Sequence, residues 1–558
     1  MHTPLPTTLR RRLATVCLLL AVVSAAAQVP SPLVMDMVHH NPGEAFTQTR
    51  FTDSSLLASW GYNAQVVNEF TPPHCALTFD AVSPDIFPAG SAERQWALDL
   101  RDRIRTQIAD IHAQGLQAYY FMDIILLPKR LVEQYADSIL DDRGKIDWDR
   151  PTTQRLHRAM LDELFQQFPD LDGFVVRTGE NYRQNIPYHT GNELANNADE
   201  ATAIRRHAEL LNLLREEVCV KRGKTVVYRT WDIDFNAAFG HFHTKPDFYL
   251  AVTRQVEPHP QLLLSIKHTR GDYWRHMPFN PCLGIGDHRQ IVEVQCQREY
   301  EGKGAYANYI ASSVIHGFEE EPQGDGLHSL ADFRHTPLFA GIWTWSRGGG
   351  WGGPYLHDEF WCGANAYVLS QWIATGRSDD LLFTDYARAM GFTAASADHL
   401  YRLAQRTPHA ILLGRGSNLI SLGIWETNWT RDNSFSPDLM LSVSRKLVQR
   451  HQEDAFLAEK AEAVRLWQQM EAESATLQGS DSATVQAVHD TFTYGRHCFT
   501  VSHLLWQRAV LQAQQEADHL DRSSLIKRLT RSIDAAFTAW ETFCATHPHS
   551  ATPYTRVP

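Results

Sequence analysis

The sequence predicts an α/β protein, a (β/α)8 TIM barrel followed by an all-helical C-terminal domain. Three observations carry that prediction. Short apolar runs of strand length alternate with long amphipathic segments, the pattern of right-handed βαβ units around a parallel sheet. Eight such units in about 320 residues is the size of a barrel with generous loops. Beyond Gly353 the strand signal stops and only helical periodicity continues.

Taken in order, the first strand is Val34 to Val38, ending in His39-His40-Asn41, and Asn63 to Asn68 is the second. A strongly periodic helix from about Ala92 to Gln114 is stopped by Gly115, a residue free to adopt the left-handed C-cap. Gln117 to Leu126 is strand three, a helix covers roughly Thr153 to Phe168, and Asp172 to Arg177 is strand four. The helix Glu200 to Arg222 leads through Gly223 to strand five, Thr225 to Arg229. Strand six starts at Leu262 and ends at Asp272; strand seven starts at Ile291 and ends at Glu299. A helix from Ala305 to Phe318 and strand eight, Leu338 to Trp345, complete the ring. Helical periodicity then recurs at Phe360 to Ala374, Asp380 to Met390, Pro437 to Arg450, Ala455 to Gln478, Ser482 to Gln514 and Ser523 to Ala545. The expected division is a leader at 1–27, a barrel at 28–350 and a helical domain at 351–558.

Composition narrows the function. With 558 residues, 43% apolar, 21% charged and a net charge of −12, the chain has ample core and no basic footprint, which excludes nucleic acid as a partner. Residues 1–27 read as a signal peptide: Arg10-Arg11-Arg12, an apolar run from Leu13 to Val23, and Ala25-Ala26-Ala27 before Gln28. The run is too short for a membrane span, so no membrane partner is expected and the mature chain is expected in a periplasmic or extracellular compartment. Cys17 falls in this leader. Cys75, Cys219, Cys282, Cys296, Cys362, Cys498 and Cys544 are scattered without C-x-x-C spacing, so neither a zinc site nor a disulfide scaffold is indicated. The acidic run Glu319-Glu320-Glu321 reads as a solvated loop on the face opposite the mouth. The oligomeric state is left open, a homodimer among the options.

A barrel of this kind keeps its site at the C-terminal ends of the strands. That rule collects His39 and His40, Asn68 and Glu69, Asp123, Arg177 and Glu180, Arg229 and Asp232, Lys267, Arg270 and Asp272, Arg298 and Glu299, and Trp345 and Arg347. Carboxylates mixed with cations suit glycosidic cleavage, where a protonated carboxyl delivers a proton and an ionised one activates water or attacks. Glu180 is expected three residues past the end of strand four, beyond a Gly-containing turn, with Asp272 and Glu299 reaching the same mouth from strands six and seven. A wide gap between them, roughly 6.5–9.5 Å, favours inversion.

Lys267 with Asp272, then Pro278-Phe279-Asn280-Pro281-Cys282-Leu283-Gly284 and Gln297-Arg298-Glu299-Tyr300-Glu301-Gly302, resembles the strand-six and strand-seven signature of family 67 α-glucuronidases. Asp172-Gly173-Phe174-Val175-Val176-Arg177 through Glu180, Val226-Val227-Tyr228-Arg229 and Asp358-Glu359-Phe360-Trp361-Cys362-Gly363 are similar to further segments of that family, in chain order. The resemblance lacks the family's N-terminal β-domain. It also has Arg177 three residues before Glu180, where the family has a Lys four before.

The resemblance implies a secreted, inverting, exo-acting hydrolase that removes a terminal (4-O-methyl-)glucuronic acid from an oligosaccharide, with no metal and no cofactor. It implies Glu180 as general acid, Asp272 and Glu299 as the pair that orients and deprotonates water, and Arg229 and Lys267 as the grip on the uronate carboxylate. Arg177, His39, His40 and Trp345 complete the expected substrate-binding set. Two alternatives stay open: an exo-glycosidase for another sugar on the same scaffold, and a non-catalytic carbohydrate-binding barrel.

Overall fold

The computed structural model describes residues 31–39, 49–69, 71–179, 186–195, 198–232, 241–321, 326–349, 352–419 and 435–556. The leader at 1–27 and the barrel boundary at residue 350 lie outside the described residues. Ten strands occur among the described residues: β1 (Leu33–His39), β2 (Ala64–Val66), β3 (Gln117–Asp123), β4 (Leu126–Pro128), β5 (Gly173–Arg177), β6 (His189–Gly191), β7 (Thr225–Arg229), β8 (Leu262–Lys267), β9 (Gln290–Gln295) and β10 (Phe339–Gly348). Eight of them close a parallel barrel in the order β1-β10-β9-β8-β7-β5-β3-β2, while β4 and β6 form a separate antiparallel ribbon. The predicted (β/α)8 fold is the fold observed.

Alternation along the strands sorts the barrel's side chains. Val175, Val227, Leu263, Ile291 and Trp343 point inward and pack on one another with Met35, Met37, Tyr119 and Phe121. Their neighbours Val176, Val226, Leu264, Ile266, Val292 and Val294 point outward into a second core shared with the surrounding helices and the C-terminal region. Parallel strands buried on both faces explain why these segments read as near-continuous apolar runs.

The helices start and stop where the sequence places caps. Ala92–Ala113 begins on Ser91, whose side chain accepts from the Arg94 N–H, and Gly115 follows at φ +76°. Pro151–Gln167 opens on its proline, which has no amide hydrogen for the first turn to waste. The helix Phe360–Thr375 is buried on almost every face and ends at Gly376 in the left-handed region. It sits between the barrel and the bundle built on Ser482–Asp518.

Several expected elements differ. Strand three breaks after Asp123, where the Ile124 N–H bonds the Arg177 carbonyl, and the chain resumes as β4. Strands six and seven are shorter than expected, since β8 stops at Lys267 and β9 at Gln295, leaving Asp272 and Glu299 in loops. The helix expected at 305–318 shrinks to Ala311–His316, because Gly302, Lys303 and Gly304 take positive φ and turn the chain. Two helices, Ala394–Ala404 and Thr407–Arg415, lie in a stretch read without periodicity. Among the described residues no cysteine forms a disulfide, and six of the seven are buried.

Candidate active site

The inward positions of the barrel change character from bottom to top. On β7, Val227 is followed by Arg229; on β8, Leu263 by Ser265 and Lys267; on β9, Ile291 by Glu293 and Gln295. The apolar floor therefore gives way to a charged layer at the C-terminal ends. That layer is a connected network. Arg229 donates Nε to Glu293 Oε2 at 2.9 Å and Nη2 to Oε1 at 2.7 Å, with both side chains only 1% exposed. The Tyr273 hydroxyl donates to Glu293 Oε1 at 2.6 Å, and Ser265 Oγ donates to Oε2 at 3.3 Å.

Burial alone would raise the Glu293 carboxyl. The Arg229 fork and charge, helped by Lys267 and the Tyr273 hydroxyl, outweigh burial and hold it below the ordinary range. Burial, reinforced by the Glu293 charge, lifts the Tyr273 phenol well above its usual value and keeps it a donor.

Lys267 and Asp272 form the next pair. Lys267 Nζ lies 2.7 Å from Asp272 Oδ1, 3.3 Å from the centroid of the Trp231 ring and 4.6 Å from that of Tyr273. An ammonium boxed by two aromatic faces and a carboxylate is fixed in place. Asp272 Oδ1 also accepts the Tyr273 N–H at 3.0 Å. Among the described residues its Oδ2 takes no hydrogen bond, and the side chain keeps 8% exposure. One oxygen is held and the other is presented.

Arg177 and Asp123 form a third pair, with Nη2 to Oδ2 at 2.8 Å and both side chains 1% exposed. Phe121 packs under both guanidiniums, 5.2 Å from Arg177 and 5.6 Å from Arg229. Trp345 stacks flat on His39 at 4.4 Å and lies 5.1 Å from the Arg229 guanidinium. The expected residues His39, Arg177, Arg229, Lys267, Asp272 and Trp345 are thus one contiguous layer. Their roles change in part. The Arg229 fork, expected to grip a substrate carboxylate with two N–H groups, is already given to Glu293; Arg177 is likewise given to Asp123. Trp345 is wall, stacked on His39, and offers little open face. Glu180 and His40 lie outside the described residues.

Glu299 sits in the loop after β9, with its backbone N–H donated to Gln295 Oε1 at 2.7 Å and its side chain buried. The loop is locked. Arg298, at φ +59°, gives Nε to Glu301 Oε2 at 2.9 Å and Nη2 to Oε1 at 3.2 Å, and Asn308 bonds the same carboxylate. Asn365, on the first helix of the C-terminal region, receives the N–H groups of Ile310 and Ala311 and donates to the carbonyls of Cys296 and Asn308.

On the other flank, Arg275, three residues past Asp272, pairs with Glu320 and with Glu319 at 3.4 Å, while the Phe279 N–H bonds Glu321 Oε1 at 2.7 Å. The acidic run is therefore a loop solvated at Glu319 and Glu320, as expected, but one that also bonds the segment after β8 and buries Glu321. It anchors the segment that carries Asp272.

Sequence reasoning missed Glu293. A charged residue in the middle of an apolar strand buried on both faces demands a buried partner, and Arg229 was available. Among the described residues no group of three or more His, Cys, Asp or Glu is arranged to hold a metal ion, and no helix is long and apolar enough to cross a membrane.

No family model matches the sequence, and no curated protein matches it. Among solved structures the chain is similar to a GH138 enzyme targeting pectin rhamnogalacturonan II, with a TM-score of 0.56 at 11% identity over 94% of this chain. The chain spans 65% of that enzyme's length. It is more distantly similar to the Thermobaculum terrenum O-GlcNAc hydrolase, with a TM-score of 0.36 at 8% identity over 92% of this chain and 96% of the other. A GH20 exo-β-N-acetylglucosaminidase of Vibrio harveyi gives a TM-score of 0.33 at 12% identity over 68% and 58%. The first likeness is one of fold, a barrel with a helical region behind it.

Proposed function

We propose that this protein is a glycoside hydrolase that removes a terminal uronic acid, glucuronic or 4-O-methylglucuronic, from an oligosaccharide with inversion. The observation that carries the proposal is Asp272. It lies at a barrel mouth with Oδ1 fixed by Lys267 and the Tyr273 N–H, and with Oδ2 unclaimed among the described residues. A carboxylate held on one side and presented on the other suits a base that orients water. Glu299 comes from the loop after the adjacent strand and completes the pair. Glu180, three residues past Arg177 in sequence and outside the described residues, is the acid in this reading. Lys267, Arg229 and Arg177 are each balanced by a carboxylate, Asp272, Glu293 and Asp123, so the uronate assignment leans on the family 67 resemblance of these strand ends, and one structural neighbour of this fold is described as targeting pectin rhamnogalacturonan II, an observation made of that enzyme.

A second reading has one observation in its favour. Arg229 and Arg177 each have a buried carboxylate partner, so the cations balance charge within the barrel as well as at its mouth. An exo-glycosidase for a neutral sugar would need no more than that. The proposal includes export, carried by the leader at 1–27.

The test is incubation with uronate-decorated and neutral oligosaccharides, following the released sugar and its first anomer by NMR. Release of saturated glucuronic acid with inverted configuration is expected. Release of a neutral sugar alone selects the second reading, an unsaturated uronate product identifies a lyase, and binding without turnover identifies a carbohydrate-binding barrel.

A further inference from the structure

We infer that Gln295 is a positioning residue for Glu299, acting through both ends of its amide, and that Gly349 leaves the room in which the Gln295 amide and the Glu299 carboxylate lie side by side. The inference rests on the reading of Glu299 as a base of the reaction. Gln295 is the last residue of β9, fully buried, inward-pointing and in register with Trp345 on β10. Its Oε1 accepts the Glu299 N–H at 2.7 Å. That bond sets which way the amide faces, because an N–H2 cannot accept it.

Nε2 is left buried with no hydrogen-bond partner among the described residues. A buried donor without a partner is destabilising, so it needs a reason. Gly349, in the left-handed region at φ +94°, supplies one. A Cβ built there would lie 2.4 Å from Gln295 Nε2 and 2.8 Å from Glu299 Oε2. The N–H2 group and the carboxylate oxygen therefore flank the same point, with the bare glycine backbone passing beside them. One end of the amide fixes the Glu299 backbone; the other sets a positive dipole beside its carboxylate. Both favour a fixed, ionised Glu299.

Gln295→Glu separates this role from packing. It keeps the shape and an acceptor for the Glu299 N–H, but replaces the donor with a second carboxylate beside Oε2. Glutamates labelled with 13C at the side-chain carboxyl are titrated by NMR in the full chain, with Glu299→Gln identifying the Glu299 signal. In Q295E the upper midpoint of the coupled pair is expected to rise by at least about one pH unit. The acid limb of kcat/KM on the released sugar should move with it. A folded Q295E whose Glu299 midpoint is unchanged overturns the inference.

Should Q295E not fold, Gln295→Met removes both amide atoms in a similar volume, and an unmoved Glu299 midpoint there overturns it equally. If the unaltered protein releases no sugar from any oligosaccharide, the glycosidase reading fails while the titration still decides this one.

Discussion

Replacing Arg229 with alanine tests the assignment of its guanidinium to Glu293. The pair is bidentate, at 2.9 and 2.7 Å, and both partners are 1% exposed. Removing one member of such a pair leaves a buried charge uncompensated and costs about 3–5 kcal/mol. Unfolding entropy of roughly 2 cal/mol/K per residue makes one degree of Tm worth ~1 kcal/mol for a unit of this size, so Tm should fall by about 3–5 °C. The sign with pH follows from Glu293, whose carboxyl is held below its ordinary value by Arg229 against the pull of burial. In the unaltered protein this contribution is present above the ordinary carboxylate range and lost as pH falls through the depressed folded value.

In Arg229→Ala, burial dominates and Glu293 takes up a proton on folding, so the penalty should shrink from pH 8 to pH 5. A second change, Glu293→Leu in the Arg229→Ala background, should recover much of the lost Tm. Scanning calorimetry across pH on the single and double variants checks all three expectations. An unchanged Tm in Arg229→Ala, coupled with loss of preference for uronate over neutral sugar, would refute the internal pairing and return Arg229 to substrate binding.

Three more predictions follow from the same geometry. Asp36, buried on β1 and bonded by Thr344 and Ser346, has its carboxyl pushed up to about 7 by burial. Folding then binds a proton, so stability falls as pH rises from about 4 to about 7; Asp36→Asn should be the more stable form above pH 7, by at most about 4 kcal/mol, read as a Tm difference that grows across that window. Glu299→Gln and Asp272→Asn should each lower kcat by about 10²–10⁴, measured on the best released sugar, and Asp272→Asn should also lower Tm because it leaves the buried Lys267 ammonium without its carboxylate; a tenfold effect on kcat or less in both would remove the paired-base mechanism. Gly348 sits at φ +95°, where a Cβ would lie 1.7 Å from the His39 carbonyl oxygen. Gly348→Ala should therefore lose at least about 3 kcal/mol, seen as a lower Tm or an insoluble chain.

Much of the barrel was legible because its strands are short apolar runs between capped helices, and Thr225–Arg229 has the bounds the sequence suggests. Strand ends were less so. Asp272 and Glu299 follow polar residues that continue an extended reading, yet the strands end at Lys267 and Gln295, and the left-handed Arg298 is invisible to periodicity. The site was legible as a set of residue types at strand ends, which the structure gathers into one layer. What the pattern could not say is who pairs with whom. Glu293 hides in mid-strand, and only the strand order of the barrel brings it to Arg229, across the one intervening strand β8. The link between Arg275 and the acidic run Glu319 to Glu321 joins segments far apart in sequence, and no local signal announces it.

Asn365 gives the two halves of this chain a shared fate. Its single amide grips four backbone groups of the stretch that leads away from Glu299. A version trimmed to the barrel for engineering would keep every acidic group and still lose the brace that shapes their surroundings. Swapping the C-terminal half for that of another such protein should therefore alter the surroundings of Glu299 at the front of the molecule.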